Sequence, residues 1–220
     1  VGDLNGDGIP DIVVGTNEQY SDSGRLYAID GRGTKAAKTL LPGWPVSTFS
    51  RYVLPVVGSG LPNAAGMADI DRDGKPEIFV NGIGGNLEIL RSDGSSYPVK
   101  LLPGQQGFGP GSDTHEFAAL GFIANPALGD LDGDGRPEAI LPNTGANTAL
   151  SMLKGYERLD YEMLLSAWDV KTGKQLSGFP RVMEDYVFFM NPIVVDIDGD
   201  GQREAIAGSA GYFVHAWNAE

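Results

Sequence analysis

The chain has 220 residues and a formal net charge of -13 at pH 7, with 32 glycines, 14 prolines and no cysteine. This charge disfavours a nucleic-acid partner, because binding to phosphates depends on clustered Lys and Arg. The lack of cysteine excludes disulfides and thiolate metal sites. No apolar run approaches the roughly 20 residues that span a bilayer, and residues 1–20 lack a signal-peptide pattern. We therefore expect no membrane insertion.

A nine-residue acidic motif occurs four times along the chain. Its copies begin at Asp3, Asp69, Asp130 and Asp196. The starts fall 66, 61 and 66 residues apart, and such even spacing is typical of a repeated structural unit. We treat the whole chain as a single domain. Its repeat units are 1–62, 63–124, 125–190 and a partial 191–220.

Short apolar runs follow each motif and predict strands. The first runs are Ile12–Val14, Ile78–Val80, Ala139–Leu141 and Ala205–Ala207. The second runs, which resemble return strands of hairpins, are Gly24–Gly31, Gly85–Leu90, Met163–Asp169 and Gly211–Asn218. An aromatic-proline pair then indicates an outer edge strand, and the residues before each motif supply a further strand. Four strands per unit of about sixty residues are typical of a propeller blade.

The predicted fold class is all-β, with about four consecutive blades of a seven- or eight-bladed β-propeller. Each blade is expected to be four-stranded and antiparallel, with the acidic loop between its first two strands. Propellers close with roughly four to eight blades, and an open arc would leave unpaired edges. We expect the remaining blades of the same chain, or another copy, to cover them.

Three segments depart from the regular repeat. Residues 47–63 and 104–125 are long connections rich in Gly, Pro and aromatic residues, and 150–165 is an insertion in the third repeat with weak helical spacing. Connections of this length often carry function, but the sequence does not say which.

The repeated motif has the ligand pattern of a calcium site. Asp or Asn at positions 1, 3 and 5 bring three oxygens around one point, and Gly at position 6 permits the necessary turn. Position 7 can offer its backbone carbonyl, and an acidic residue at position 9 closes the cage. Such all-oxygen coordination selects Ca²⁺ over Zn²⁺ and is roomier than Mg²⁺ demands. We expect about four structural calcium ions.

The predicted ligands occupy the same five positions in every loop. They are Asp3, Asn5, Asp7, Ile9 and Asp11; Asp69, Asp71, Asp73, Lys75 and Glu77; Asp130, Asp132, Asp134, Arg136 and Glu138; and Asp196, Asp198, Asp200, Gln202 and Glu204. Ile9, Lys75, Arg136 and Gln202 would bind through their backbone carbonyls. Fifteen of the 29 acidic residues lie in these loops, where they would repel one another without a cation. The alternative, merely solvated acidic turns, is weak for four loops in register.

The EF-hand is the obvious rival, but it needs Glu at position 12. Position 12 is here Val14, Val80, Leu141 and Ala207. Position 2 is Leu4, Ile70, Leu131 and Ile197, which indicates an apolar anchor turned away from the ligands. The loop is therefore expected to be attached to a β core.

These loops resemble the FG-GAP repeats of integrin α-subunit propellers and the related bacterial VCBS-type repeats, over nearly the whole chain. In that family a D-x-[DN]-x-D-G-x-x-[DE] loop joins the first two strands of a blade and binds calcium, usually opposite the main partner-binding face. The family's Phe-Gly and Gly-Ala-Pro signatures are replaced by Asn63–Gly66, Asn125–Gly129 and Asn191–Ile193. This departure favours a secreted bacterial member.

Two functions fit these features. The first is a calcium-stabilised binding module of a secreted or cell-surface protein that recognises a protein or glycan ligand. The alternative is the propeller part of a secreted carbohydrate-active enzyme such as a polysaccharide lyase. We assign no catalytic or cofactor-binding residue: His115 lies in a polar loop and His215 follows the alternation of a strand. Because calcium is abundant outside cells, we expect an extracellular, surface or periplasmic location.

Overall fold

The computed structural model describes residues 1–18, 24–33, 39–47, 59–61, 64–81, 87–99, 119–120, 124–145, 163–187 and 190–219. Sixteen β-strands lie within these ranges. They are β1 (Ile12–Gly15), β2 (Asn17–Glu18), β3 (Arg25–Ile29), β4 (Val46–Ser47), β5 (Ser59–Gly60), β6 (Gly66–Ala68), β7 (Glu77–Asn81), β8 (Leu87–Leu90), β9 (Ala119–Leu120), β10 (Ala127–Gly129), β11 (Glu138–Gly145), β12 (Met163–Asp169), β13 (Arg181–Val182), β14 (Ile193–Val195), β15 (Glu204–Gly208) and β16 (Val214–Trp217).

The strands assemble into four antiparallel sheets, one for each acidic motif. Sheet I has the order β1-β3-β4, sheet II β6-β7-β8, sheet III β10-β11-β12-β13 with β9 also paired to β11, and sheet IV β14-β15-β16. Strands β2 and β5 form a separate antiparallel pair. The all-β prediction and the hairpin after each motif are confirmed.

The prediction of four-stranded blades is wrong for sheets I and II, which have three strands among the described residues, and the partial fourth repeat also forms three. Isolated bridges stand where a fourth strand was expected, between Gly2 and Asp11 beside sheet I and between Leu90 and Ser96 beside sheet II. In sheet II the pairing ends after Tyr97, whose N–H donates to Ile89. Pro98 follows and has no N–H to continue the ladder.

All four sheets use one register. The residue at motif position 10 pairs across the hairpin as Ile12 with Ile29, Ile78 with Leu90, Ala139 with Trp168 and Ala205 with Trp217. Because the register is shared, each acidic loop lies at the same end of its sheet. The four loops therefore have equivalent surroundings, apart from what the neighbouring sheets contribute.

Apolar clusters join each sheet to the next. In each cluster, position 2 of one motif packs with positions 10 and 12 of the following repeat: Leu4 with Ile78 and Val80, Ile70 with Ala139 and Leu141, and Leu131 with Ala205 and Ala207. The sheets approach closely where Gly129 meets Val194, because a Cβ on the glycine would lie 2.6 Å from that side chain. The position 2 anchor is thus confirmed in three loops.

Two sheet faces remain uncovered among the described residues. Ile12 and Val14 of sheet I are 48% and 45% exposed, although their equivalents Ile78 and Val80 are buried. On sheet IV, Ile197 is 63% exposed, unlike the other position 2 anchors, because no described sheet lies beyond it. Over these residues the sheets do not close into a ring.

Asparagine side chains five residues before the third and fourth motifs link neighbouring sheets. The N–H of Ala64 donates to Asn125 Oδ1 at 2.9 Å, and the N–H of Asn125 donates to Asn191 Oδ1 at 2.8 Å. These asparagines belong to the segments that replace the family signatures. Their side chains satisfy backbone donors of the preceding sheet, a role that sequence reasoning did not assign.

Parts of the predicted irregular segments fall outside the described residues, namely 48–58, 62–63, 104–118 with His115, 121–123, and 150–162. The remaining parts include short strands. Strand β5 lies within the predicted connection 47–63, β9 lies within 104–125, and β12 begins inside the predicted insertion 150–165. Those parts are therefore strands, because they pair with β2 and β11.

Candidate metal centres

The four acidic loops share one backbone conformation. Glycine at position 6 has a positive φ in every loop: 83° at Gly8, 87° at Gly74, 84° at Gly135 and 92° at Gly201. The carboxylate at position 5 accepts the N–H of position 7 in Asp7–Ile9, Asp73–Lys75, Asp134–Arg136 and Asp200–Gln202. The turn predicted from glycine is confirmed, since only glycine adopts that backbone readily.

The aspartate at position 1 folds the loop around itself. Its Oδ2 accepts the N–H of the position 6 glycine at 2.7 Å in Asp3–Gly8, 2.9 Å in Asp69–Gly74, 3.0 Å in Asp130–Gly135 and 2.9 Å in Asp196–Gly201. The N–H of Gly8 is the main cause that lowers the pKa of Asp3. A carboxylate that accepts such donors stays ionised.

The acidic residue at position 9 lies buried beneath the loop. Its carboxylate accepts the N–H of position 2 in Asp11–Leu4, Glu77–Ile70, Glu138–Leu131 and Glu204–Ile197, at distances from 2.7 to 3.0 Å. The residue at position 2 is thereby fixed in two ways. The carboxylate accepts its backbone N–H, and in the first three loops its side chain packs in the core. This bond attaches each loop to its sheet.

Three of the loops bring carboxylates together as a metal site requires. Positions 1, 3 and 9 each offer an oxygen, and these oxygens lie within 4.8 Å of one another, in Asp69–Asp71–Glu77, Asp130–Asp132–Glu138 and Asp196–Asp198–Glu204. Three carboxylates at this spacing suit a hard cation that prefers oxygen, such as Ca²⁺. Ligation by position 5 and by the position 7 carbonyl stays a prediction.

The third loop has the strongest electrostatic need for a cation. Burial is the main cause that raises the pKa of Glu138 to about 7, and the charges of Asp132 and Asp134 also raise it. The hydrogen bond from the N–H of Leu131 lowers the pKa but does not offset burial. Burial likewise raises the pKa of Glu77. Asp130 Oδ1 is buried without a hydrogen-bond partner. A bound cation would stabilise each of these charges, so the residues present fit the ion.

The first loop satisfies its carboxylates with the protein's own donors. Asp11 accepts the N–H of Leu4 on Oδ2 and that of Gly31 on Oδ1 at 3.0 Å. Asp7 Oδ2 lies 2.9 Å from the guanidinium of Arg32. Position 3 is Asn5, which contributes no charge. Calcium binding by the first loop therefore stays a prediction from the motif.

Arg72 makes a contact between the second and third loops that the sequence did not predict. It occupies position 4 of the second loop with a φ of 66°, where the other loops have glycine. Its Nη2 donates to the carbonyl of Gly135 in the third loop at 2.8 Å. The contact offsets the cost of a left-handed backbone at a residue with a side chain. Neighbouring acidic loops are thus connected directly.

The sheets and loops together define a β-repeat protein with one acidic loop per sheet. Residues 3–80 and 69–141 match the model of the FG-GAP-like repeat. These matches cover more than half of the chain, and the chain belongs to the FG-GAP-like repeat family. The resemblance noted from the motifs is confirmed. No curated protein sequence matches the chain.

Two solved structures are similar in fold. Bacillus licheniformis rhamnogalacturonan lyase PL11 has a TM-score of 0.50 and 18% identity, covering 95% of this chain and 40% of the lyase. The computationally designed Ika4 protein has a TM-score of 0.43 and 13% identity, covering 99% of this chain and 96% of the design. The chain thus spans less than half of the lyase, and this likeness supports the β fold alone. No helix among the described residues is long and apolar enough to cross a bilayer.

Proposed function

We propose that the chain is a calcium-stabilised arc of a β-propeller, and that it serves as a binding module of a secreted or cell-surface protein. The observation that carries this proposal is the set of three equivalent carboxylate clusters, one in each of loops two to four. Rigid repeats with such loops at one end leave the opposite end free to display a ligand-binding surface. The ligand is a protein or a glycan.

Calcium has a structural role in this proposal. The ion is held by the aspartates at positions 1 and 3 and the glutamate at position 9, as in Asp130, Asp132 and Glu138. It offsets the repulsion among these carboxylates and the cost of burying the glutamate. Because that glutamate also accepts the position 2 N–H, the ion stabilises the attachment of loop to sheet. Such sites fill at extracellular calcium levels, which supports an extracellular, surface or periplasmic location.

The uncovered faces of sheets I and IV support a longer arc. They expose the positions that are buried between the inner sheets, including Ile12, Val14 and Ile197. We infer that further blades cover them, from the same chain or another copy. Light scattering on this 220-residue chain separates these two sources of the covering blades. Dimers that the substitution Ile197→Asp dissociates would indicate that another copy of the chain covers the exposed faces. A chain that stays monomeric at all concentrations would instead favour coverage of these faces by further blades of a longer chain.

A second candidate is the propeller part of a secreted carbohydrate-active enzyme. Its support is the fold likeness to a rhamnogalacturonan lyase over 95% of this chain. Neither the sequence nor the described part of the structure provides a catalytic constellation for it, and we keep it as the alternative. Turnover of a polysaccharide by the chain would favour the enzyme over the binding module.

Thermal unfolding with and without a chelator tests the calcium proposal. An ion that binds only the folded state stabilises it by about 2.7 kcal/mol per site at a hundredfold excess over Kd. For a domain of this size that corresponds to roughly 5–10 °C in Tm per filled site. We expect chelation to lower Tm by at least this amount, with recovery on adding Ca²⁺ and little recovery with Mg²⁺. Equal Tm values in all three buffers would contradict the proposal.

A further inference from the structure

A second polar cluster lies at the end of sheet IV opposite its acidic loop. The turn from Ser209 to Phe213 joins β15 to β16 there, and it packs against Glu184, which follows β13 of sheet III. The N–H of Ala210 donates to the carbonyl of Tyr186 at 2.8 Å. This junction is held by two sheets, and none of its residues belongs to the acidic loops.

Glu184 is the centre of this cluster. Its Oε1 accepts the hydroxyl of Ser209, and its Oε2 lies 2.7 Å from Nε2 of His215. Partial burial opposes the charge of Glu184, but these two hydrogen bonds lower its pKa below the usual value. Nε2 of His215 is therefore bound by Glu184. The other ring nitrogen, Nδ1, has no hydrogen-bond partner among the described residues. The imidazole is oriented by the carboxylate.

The arrangement does not activate a nucleophile. In a serine hydrolase the imidazole bonds to the serine, and the carboxylate bonds to the far side of the ring. Here Glu184 lies between Ser209 and His215, so His215 cannot accept the Ser209 proton. The geometry therefore favours binding over covalent catalysis at this junction.

Aromatic rings extend from the cluster along one face of β16. His215 stacks on Trp217 with centroids 5.0 Å apart, and Phe213 lies 6.2 Å from His215 on the other side. Phe213 ends the row and is 60% exposed. Its ring lies beside that of His215, the residue that contacts Glu184 next to sheet III. An open ring face is therefore presented beside a hydrogen-bonded carboxylate.

Tyr212 at the tip of the turn has an unusual backbone and an unusual exposure. Its φ is 71°, a left-handed value that favours glycine, and its side chain is 99% exposed. No packing of the Tyr212 side chain offsets this backbone cost within the described residues. Backbone strain that no side-chain packing offsets is typical of functional positions.

We propose that Tyr212, Phe213 and the Glu184–His215 pair form a binding site for an uncharged sugar unit of a glycan. This inference rests on the proposed function and assigns one ligand class to it. The apolar face of a sugar ring packs on an aromatic face, and its hydroxyls donate to a carboxylate or imidazole. Glu184 and Asp185 in a chain of net charge -13 repel anionic sugars such as uronates.

The test is titration of the calcium-loaded chain with short neutral oligosaccharides of glucose, mannose, galactose and xylose, and with oligogalacturonate. Calorimetry and tryptophan fluorescence report binding, since Trp217 adjoins the site through His215. We expect one or more neutral sugars to bind and oligogalacturonate not to bind. Tyr212→Gly and Phe213→Ala should each weaken binding about tenfold, because each removes a stacking face.

Tyr212→Gly is an informative variant, because glycine relieves the positive φ and should not impair folding. Arg72→Gly is its matched control, since it makes the same replacement at a positive φ at the opposite end of the sheets. Binding of no neutral sugar, equal binding of oligogalacturonate, or unchanged binding by Tyr212→Gly would overturn the inference. The calcium-dependent Tm of the same samples tests the proposed function separately.

Discussion

The first and third acidic loops share one motif and one backbone, yet they neutralise their carboxylates differently. In the first loop, Asp11 accepts two backbone N–H groups and Asp7 pairs with Arg32. In the third loop, Glu138 accepts the N–H of Leu131, yet burial raises its pKa to about 7. The carboxylates of the first loop are stabilised by donors of their own chain, whereas a cation would stabilise those of the third loop.

This contrast shows that a ligand motif does not by itself determine how strongly a site depends on its ion. The same nine positions can hold carboxylates for a metal or for protein donors. What decides is the neighbouring turn, where Gly31 and Arg32 reach the first loop. The equivalent residues of sheet III are Val170 and Lys171, as the shared register shows. We therefore expect the first loop to bind calcium more weakly than the other three.

The largest expected effect comes from neutralising position 9 in these two loops. In calcium-free buffer, Asp11→Asn should lower the free energy of unfolding by about 1–3 kcal/mol, because the amide cannot accept both N–H groups and leaves one buried donor unsatisfied. Glu138→Gln should cost little there or stabilise the fold, because it removes a buried charge and keeps an oxygen for Leu131. Urea unfolding of both variants measures the difference.

Addition of calcium should raise the cost of Glu138→Gln relative to that of Asp11→Asn. Glu138→Gln should lose the part of the calcium-dependent stabilisation that comes from the third loop, whereas Asp11→Asn should keep most of the stabilisation by calcium. Equal losses in both buffers would mean that the two loops do not differ in the way proposed. Circular dichroism of each variant in calcium checks that the β fold is unchanged.

The sequence was sufficient for features that depend on local chemistry. Glycine at position 6 predicted the turn, and alternating apolar runs predicted the hairpins, because both signals lie within a few residues. Position 2 was expected to be an apolar anchor, and Leu4, Ile70 and Leu131 are buried accordingly. Membership of the repeat family also followed from these local motifs.

Features that depend on contacts between repeats could not be predicted from the sequence. Arg72 bonds to a carbonyl 63 residues away, and Glu184 meets His215 across 31 residues. Nothing in either local pattern marks these partners. Ile197 has the anchor pattern but is exposed, because burial depends on the next sheet and not on the motif. The outer strand of sheet II was over-predicted because Pro98 ends the pairing there.

The smallest expected effect isolates the cation beside the first loop. Arg32→Gln should change the calcium-free stability by about 1 kcal/mol or less, since the ion pair with Asp7 is exposed on the arginine side. Calcium affinity of the first loop should rise about tenfold, because a unit positive charge about 4 Å from a divalent ion repels it by about 2 kcal/mol in water and by less in salt. Calorimetry on Arg32→Gln beside Lys171→Gln makes the comparison, since Lys171 occupies the equivalent position and, within the described residues, makes no ion pair with the third loop. If the two variants change calcium binding equally, net charge alone is responsible and Arg32 does not compete for Asp7.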